Sequence, residues 1–430
     1  MTSTLAVWLS DRRVGTLERT AAGEVVYSPG IDVPLTVAAS GLAAWSPQLT
    51  RNWFDGLLPE GDRRVRLAAR FGLRSEDTFG LLAEIGWECA GAVAVLPEGQ
   101  SPASGRYEQI DEAGVAKRLD ALPSIDLDPD DAIRMSLGGA QDKLLLARIG
   151  DRWALPIDGA PSTHILKPEP DLWPGLAAAE AWALRVAGAA TEASETIVTN
   201  ELGVRPVIVV TRYDRQHPGD RIVRLHQEDL CQALGLPVGL KYARPAHPED
   251  PSLARLARIL VERAVDPPTE LIRLLQQVAA SVALRNADAH AKNISLLHQG
   301  NAVRLAPLYD VAPTIAFLPR QTTLGLSIGG KFKLTEIGTE HLVAEAMSWG
   351  IPGRDATEAI VAVAADMSNA VEEADDLYPG MPATARELAI AGIFQIQQQR
   401  PGKWASAAAS QSRANRQVGR VEDAGDADSE

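Results

Sequence analysis

Hydrophobic and polar positions alternate over the first part of the chain. Leu5, Val7 and Leu9 fall on one face of an extended segment. Arg12-Arg13-Val14-Gly15 then turns and Gly23-Glu24-Val25-Val26-Tyr27 runs back, a pattern that predicts a hairpin. Pro59-Glu60-Gly61-Asp62 punctuates before a helical period from Arg63 to Phe71, and a second helix is expected over Phe79 to Ile85. Gly91-Ala-Val-Ala-Val-Leu96 reads as a buried strand ended by Pro97. Residues 98–130, rich in Pro, Asp, Ser and Glu with a short helix around Glu112 to Leu119, mark a boundary.

Strand signals resume at Leu144-Leu-Leu-Ala-Arg148, Trp153-Ala-Leu155 and His164-Ile-Leu-Lys167. Leu176 to Gly188 is an alanine-rich helix that is apolar nearly all round and therefore buried. Val204 to Thr211 is a central strand candidate. Helices dominate afterwards: Glu228–Leu234, Ser252–Ala264, Glu270–Arg285, Thr339–Trp349, Arg354–Glu373 and Thr384–Gln399. Sheet first and helices later indicates an α+β architecture in lobes, with parts at 1–125, 126–215 and 216–402. Residues 403–430 lack apolar periodicity and are expected to be a disordered tail.

The chain's 430 residues and 46% hydrophobic content support a sizeable core. Its net charge of -14 repels nucleic acid and anionic membrane, so a role on DNA needs a basic partner. Cys89 and Cys231 are the only two cysteines and lack metal-ligand spacing. No signal peptide and no apolar run of membrane-spanning length is visible, which makes the cytoplasm the expected compartment.

The chemistry concentrates in Asn286-Ala-Asp288-Ala-His290-Ala-Lys292-Asn293 and Leu308-Tyr309-Asp310. An Asp, an Asn five residues on, and a second Asp behind a strand-like run are the parts of a phosphoryl-transfer centre. Asp288 is the candidate for orienting the acceptor hydroxyl and taking its proton. Asn293 and Asp310 are the candidate magnesium ligands, beside the phosphates of ATP. Lys167 closes an apolar strand, where a buried ammonium needs an anion such as phosphate, and Glu180 on the following helix is a possible partner. Gly138-Gly139-Ala140 clears side chains from a loop that phosphates could approach, although glycine pairs mark plain turns as well. Thr211-Arg212-Tyr213-Asp214 stands where a two-lobed kinase has its hinge.

Several runs together resemble the HipA family, toxin kinases of bacterial toxin–antitoxin modules. They are Asn52-Trp-Phe-Asp-Gly-Leu-Leu-Pro59, Phe79-Gly-Leu-Leu-Ala-Glu-Ile-Gly86, Ser136-Leu-Gly-Gly-Ala-Gln-Asp-Lys143, Pro161-Ser-Thr-His-Ile-Leu-Lys167, Arg212-Tyr-Asp214, Leu225-His-Gln-Glu-Asp-Leu-Cys-Gln232, Asp288-Ala-His-Ala-Lys-Asn293 and Tyr309-Asp310. The resemblance implies a serine/threonine kinase with a distantly phosphatidylinositol-kinase-like fold, a β-containing N-terminal part and an all-helical C-terminal part. It makes Asp288 catalytic and Asn293 with Asp310 metal-binding. Gly138, Gly139, Ala140, Gln141, Asp142 and Lys143 become the phosphate loop, and Lys167 touches the phosphates. Thr211, Arg212 and Tyr213 flank adenine, with His290, Lys292 and Tyr309 in the same nucleotide set. Ser136 matches the serine that family members autophosphorylate; a phosphate there repels ATP and favours an ejected loop. The implied partners are a HipB-like helix-turn-helix antitoxin, through which alone DNA is reached, and a protein substrate such as glutamyl-tRNA synthetase.

Three other readings stay open at this level. A small-molecule phosphotransferase shares the same carboxylates and amide. A catalytically silent regulatory module is disfavoured by the intact set Lys167, Asp288, Asn293 and Asp310. An Asp-X-His metal hydrolase lacks a second ligand at suitable spacing.

Overall fold

The computed structural model describes residues 3–30, 35–39, 42, 44–102, 105–122, 141–203, 205–217 and 221–397. The N-terminal hairpin is a meander: β1 (Ser3–Leu9), β2 (Arg12–Arg19) and β3 (Val25–Pro29), with β4 (Val93–Pro97) on the far side of β1. Arg12–Gly15, expected to turn, instead begins a strand. Val14 and Leu17 point into the core while Arg12 and Arg13 face solvent, so the charges masked the period. α1 (Pro47–Asp55), α2 (Gly61–Arg70) and α3 (Thr78–Ile85) complete this module. Ser46 caps α1 by accepting the Leu49 N–H, and Pro47 starts the helix where its missing donor costs nothing. Tyr27, Trp45, Trp53 and Phe54 meet edge-on or tilted at its centre.

A second antiparallel sheet follows. It contains β5 (Arg106–Ile110), β6 (Leu144–Ile149), β7 (Arg152–Ile157), β8 (His164–Pro168), β9 (Thr196–Thr199) and β10 (Val207–Thr211), in the order β5-β7-β6-β8-β10-β9. The two-residue period of β10 divides its burial. Val207 and Val209 join the core under α4 (Glu112–Ala121), and Ile208 and Val210 join that of α5 (Leu176–Ala187). β5 and α4 thus pack with this sheet although they lie in the stretch that composition marks as a boundary. β5 is a mostly exposed edge strand, which is why its sequence carries so little hydrophobic signal.

The C-terminal part is not all helix, which corrects the expectation. Short strands β11 (Arg215–Gln216), β12 (Val223–Arg224) and β13 (Gln227–Asp229) precede α6 (Leu230–Ala233), α7 (Leu253–Arg263) and α8 (Pro267–Ala283). β14 (Ser295–Gln299) and β15 (Ala302–Leu305) join β13 in a three-stranded sheet. α9 (Thr314–Phe317), β16 (Thr323–Ile328) and β17 (Lys331–Lys333) lead to α10 (Thr339–Ser348), α11 (Gly353–Leu377) and α12 (Ala383–Gln397). Strands of two or three residues, such as β11, β12, β13 and β17, are too short to display a period. The largest core unites α5, α7, α8, α10 and α11. α12 lies against the end of α8 at Gly392, where an added Cβ would stand 2.0 Å from the Ala283 carbonyl oxygen. Among the described residues no helix is long and apolar enough to cross a membrane.

Candidate active site

α8 ends at Ala283 with Leu284 as its C-cap, and Arg285 takes a left-handed backbone (φ 59°) that redirects the chain. The Asn286 side-chain oxygen then accepts the Asp288 N–H at 3.2 Å, and Thr314 Oγ1 accepts the Ala287 N–H at 2.8 Å. Ala287 and Ala291 are fully buried. The alternating alanines therefore anchor the loop as well as leaving room around its polar residues. Asn293 Nδ2 donates to the Asp288 carbonyl at 3.0 Å, which ties the two ends of the Asp-x4-Asn unit together.

Asp288 and Asn293 line one side of a cleft of about 750 Å³ between the lobes. Lys143, Lys167 and Asp310 line the same cleft, as do Gln141, Asp142 and Thr211 to Asp214. That volume suits a nucleotide-sized ligand. Lys167, on β8, places its ammonium 2.8 Å from Glu180 Oε1 on α5 and 2.7 Å from Asp310 Oδ1. Burial works against the ammonium, but the Asp310 and Glu180 carboxylates outweigh it and hold Lys167 above the usual lysine range. Asp310 stands on a left-handed backbone (φ 58°), and the Lys167 charge keeps its carboxyl well below the usual range. Burial pushes Lys143 down to about 7, helped by the neighbouring Lys167 and Arg63 charges.

Other predicted residues line the cleft but send their functional atoms elsewhere. The Arg212 guanidinium enters a buried ion cluster with Glu88, Asp214, Arg215 and Arg224. The Thr211 and Arg212 N–H groups are taken by the carbonyls of Glu195 and Thr163, at 2.9 Å each. Lys292 directs its amine to Asp229 Oδ2 at 2.6 Å and the Gly56 carbonyl at 3.0 Å. The Tyr309 hydroxyl donates to the Lys292 carbonyl at 2.7 Å and meets Ser295 Oγ, so it braces the loop. Asp142 pairs with Arg66 of the N-terminal module at 2.9 Å. His290 is buried against the Tyr242 ring edge. Gly138, Gly139, Ala140 and Ser136 lie outside the described residues.

Sequence reasoning missed Tyr242, whose hydroxyl donates to Asp288 Oδ1 at 2.9 Å. Nothing local announces it, because it comes from a turn 46 residues upstream. Burial pushes the thiols of Cys89 and Cys231 up to about 12, which leaves both inert as nucleophiles.

Residues 135–371 match the HipA-like C-terminal domain family and residues 5–96 the HipA N-terminal domain family. The chain belongs to the HipA family. Its relatives include Y4mE of Sinorhizobium fredii, named as a kinase and 34% identical over 87% of this chain and 93% of that protein. The serine/threonine-protein kinase toxin HipA of Shewanella oneidensis is 27% identical over 88% of this chain and 90% of that one. Among solved structures, HipA in the Shewanella oneidensis MR-1 complex of HipA, HipB and operator DNA superposes with a TM-score of 0.78 at 24% identity. It covers 91% of this chain and 97% of that one, so the HipA kinase fold extends over nearly all of the molecule. This HipA-family chain is accordingly a serine/threonine kinase, and its Lys167–Glu180 ion pair ties strand β8 to helix α5.

Proposed function

We propose that this chain is the toxin kinase of a toxin–antitoxin pair and transfers the γ-phosphate of ATP to serine or threonine hydroxyls of a protein. The observation that carries the reading is Lys167, held between Glu180 and Asp310 in the cleft that Asp288 and Asn293 line. Asp288 orients the acceptor hydroxyl and takes its proton. Lys167 and Lys143 bind the phosphates, and Tyr213 lies on the adenine side. Asp310, ionised and partly open to the cleft, and the Asn293 amide are oxygen donors of the kind magnesium accepts when phosphates complete its shell. Bound there, the ion neutralises charge on the phosphates.

In this reading Ser136 is the autophosphorylated serine and a HipB-like antitoxin restrains the kinase. The antitoxin also carries it to DNA, since a chain of net charge -14 has little affinity for DNA of its own. The protein acts in the cytoplasm, with an aminoacyl-tRNA synthetase as the first substrate to test. Purified chain incubated with γ-labelled ATP and magnesium, with Asp288→Asn beside it, tests the reading. Label on Ser136 in the wild type alone supports it. Phosphate delivered to a soluble alcohol and not to protein would turn the reading towards a small-molecule phosphotransferase.

A further inference from the structure

The turn after α1 brings the N-terminal module to the catalytic loop at two points. The Gly56 carbonyl accepts from Lys292, between Asp288 and Asn293 in sequence. Four residues further on, Glu60 lines the cleft. It occupies the N-cap position of α2, yet its carboxylate makes no bond to that helix. It pairs instead with Lys241 Nζ at 2.8 Å, both side chains being mostly buried. Lys241 and Lys292 outweigh the effect of burial and keep Glu60 below the usual carboxylate range, so it is charged at neutral pH.

Lys241 is tied to the catalytic loop through its backbone, because its carbonyl accepts the Ala291 N–H at 3.0 Å. Its ammonium lies 5.5 Å from the centre of the adjacent Tyr242 ring. That ring stands nearly perpendicular to the His290 imidazole, with centroids 5.1 Å apart, and its hydroxyl reaches Asp288 Oδ1. An unbroken series of contacts thus runs from Glu60 through Lys241 and Tyr242 to the candidate base.

We propose that Glu60 is a positioning residue for phosphoryl transfer. Through Lys241 and Tyr242 it fixes the rotamer of the Asp288 carboxylate, which makes the N-terminal module a working part of the kinase centre. The proposal rests on Asp288 being the base. An aspartate at the mouth of a wide cleft has alternative rotamers. A phenol donating to one oxygen removes most of them and leaves the second oxygen for the acceptor hydroxyl. Removing the Glu60 charge frees Lys241, and with it the ring that aims the phenol.

The test compares the full-length wild type with Glu60→Gln, Tyr242→Phe and the exchange Glu60→Lys with Lys241→Glu. The readouts are single-turnover transfer from γ-labelled ATP with magnesium, equilibrium binding of ATP, and thermal melting. Glu60→Gln and Tyr242→Phe should each slow transfer by about tenfold, since small misplacements of a reacting group cost this much or more. ATP affinity should stay within twofold, and the exchanged pair should recover most of the rate. Wild-type rates in both single variants would overturn the proposal. So would a loss of rate matched by equal losses of ATP affinity and melting temperature. Asp288→Asn, assayed in parallel, separates the failures. If it is inactive while Glu60→Gln is normal, only the positioning role falls; if it transfers at the wild-type rate, the base assignment falls as well.

Discussion

The Lys167 ammonium and the Asp310 carboxylate meet at 2.7 Å across the cleft, joining the strand β8 to the segment that follows β15. The Asp310 carboxylate offsets the burial of the Lys167 charge. Lys167 is almost wholly buried, while Asp310 has 42% of its side chain open. The Asp310 side is therefore the one a cation can approach without dismantling the pair of Lys167 with Glu180.

Lys167→Met is expected to abolish phosphoryl transfer and to destabilise the fold by about 3–5 kcal/mol, because Glu180 is left buried without its partner. Glu180→Gln added to that variant should restore much of the stability and none of the activity. Urea denaturation of the two single variants and the double variant, as a mutant cycle, checks this.

Asp288→Asn should reduce the single-turnover rate by a factor of about 10²–10⁴, the usual contribution of a positioned base. ATP affinity should change by less than about threefold, because no phosphate contact is assigned to this residue. Rapid-quench transfer and nucleotide titration separate the two effects.

How much was readable without coordinates follows from the range over which each feature is set. Asp288 and Asn293 share one loop, so their spacing along the chain predicts that they stand together. Lys167 and Glu180, 13 residues apart, were paired from a strand followed by a helix. The place of Arg212 just after β10 is local information and predicts a neighbour of adenine. Its partner Glu88 stands 124 residues earlier, and no pattern along the chain marks that bond. Tyr242 escaped for the same reason. The helices of the C-terminal part are legible from their 3.6-residue period, whereas β13, at three residues, is too short to show one.

Lys143 gives the site a pH dependence of definite sign. Its ordinary value of 10.5 falls to about 7 in the fold, so between those values the unfolded chain holds a proton that the folded chain has released. Stability gains from that group as pH rises through the window, and the penalty of its buried charge is complete below about 7. Lys143→Met should therefore stabilise the protein more at pH ~6 than at pH ~9. A polyphosphate favours the charged amine. ATP binding near pH ~8 should take up a proton, and affinity should weaken as pH rises further. Calorimetry in buffers of different ionisation enthalpy detects the uptake, and Lys143→Met should remove it.

Glu88 joins the N-terminal module to Ser162, Arg212, Arg215 and Arg224 through buried hydrogen bonds and ion pairs. One oxygen accepts from the Ser162 N–H at 3.0 Å, Ser162 Oγ at 2.8 Å, Arg212 at 3.0 Å and Arg215 at 2.7 Å, while the other is held by Arg224. Burial opposes the charge, but the Arg224, Arg215 and Arg212 guanidiniums prevail and hold its carboxyl far below the usual range. Its contribution is thus fully present above the ordinary value of 4.5 and is lost progressively as pH falls beneath it. Glu88→Gln leaves three buried guanidiniums short of anionic charge and should cost about 3–5 kcal/mol at pH ~7. Because Arg212 lines the cleft and Arg215 stands three residues beyond Arg212 on β11, the KM for ATP should rise more than kcat falls. Melting curves between pH ~3 and ~7 should show the difference from wild type shrinking towards the acid end. A difference independent of pH would mean that Glu88 acts by packing and not by charge.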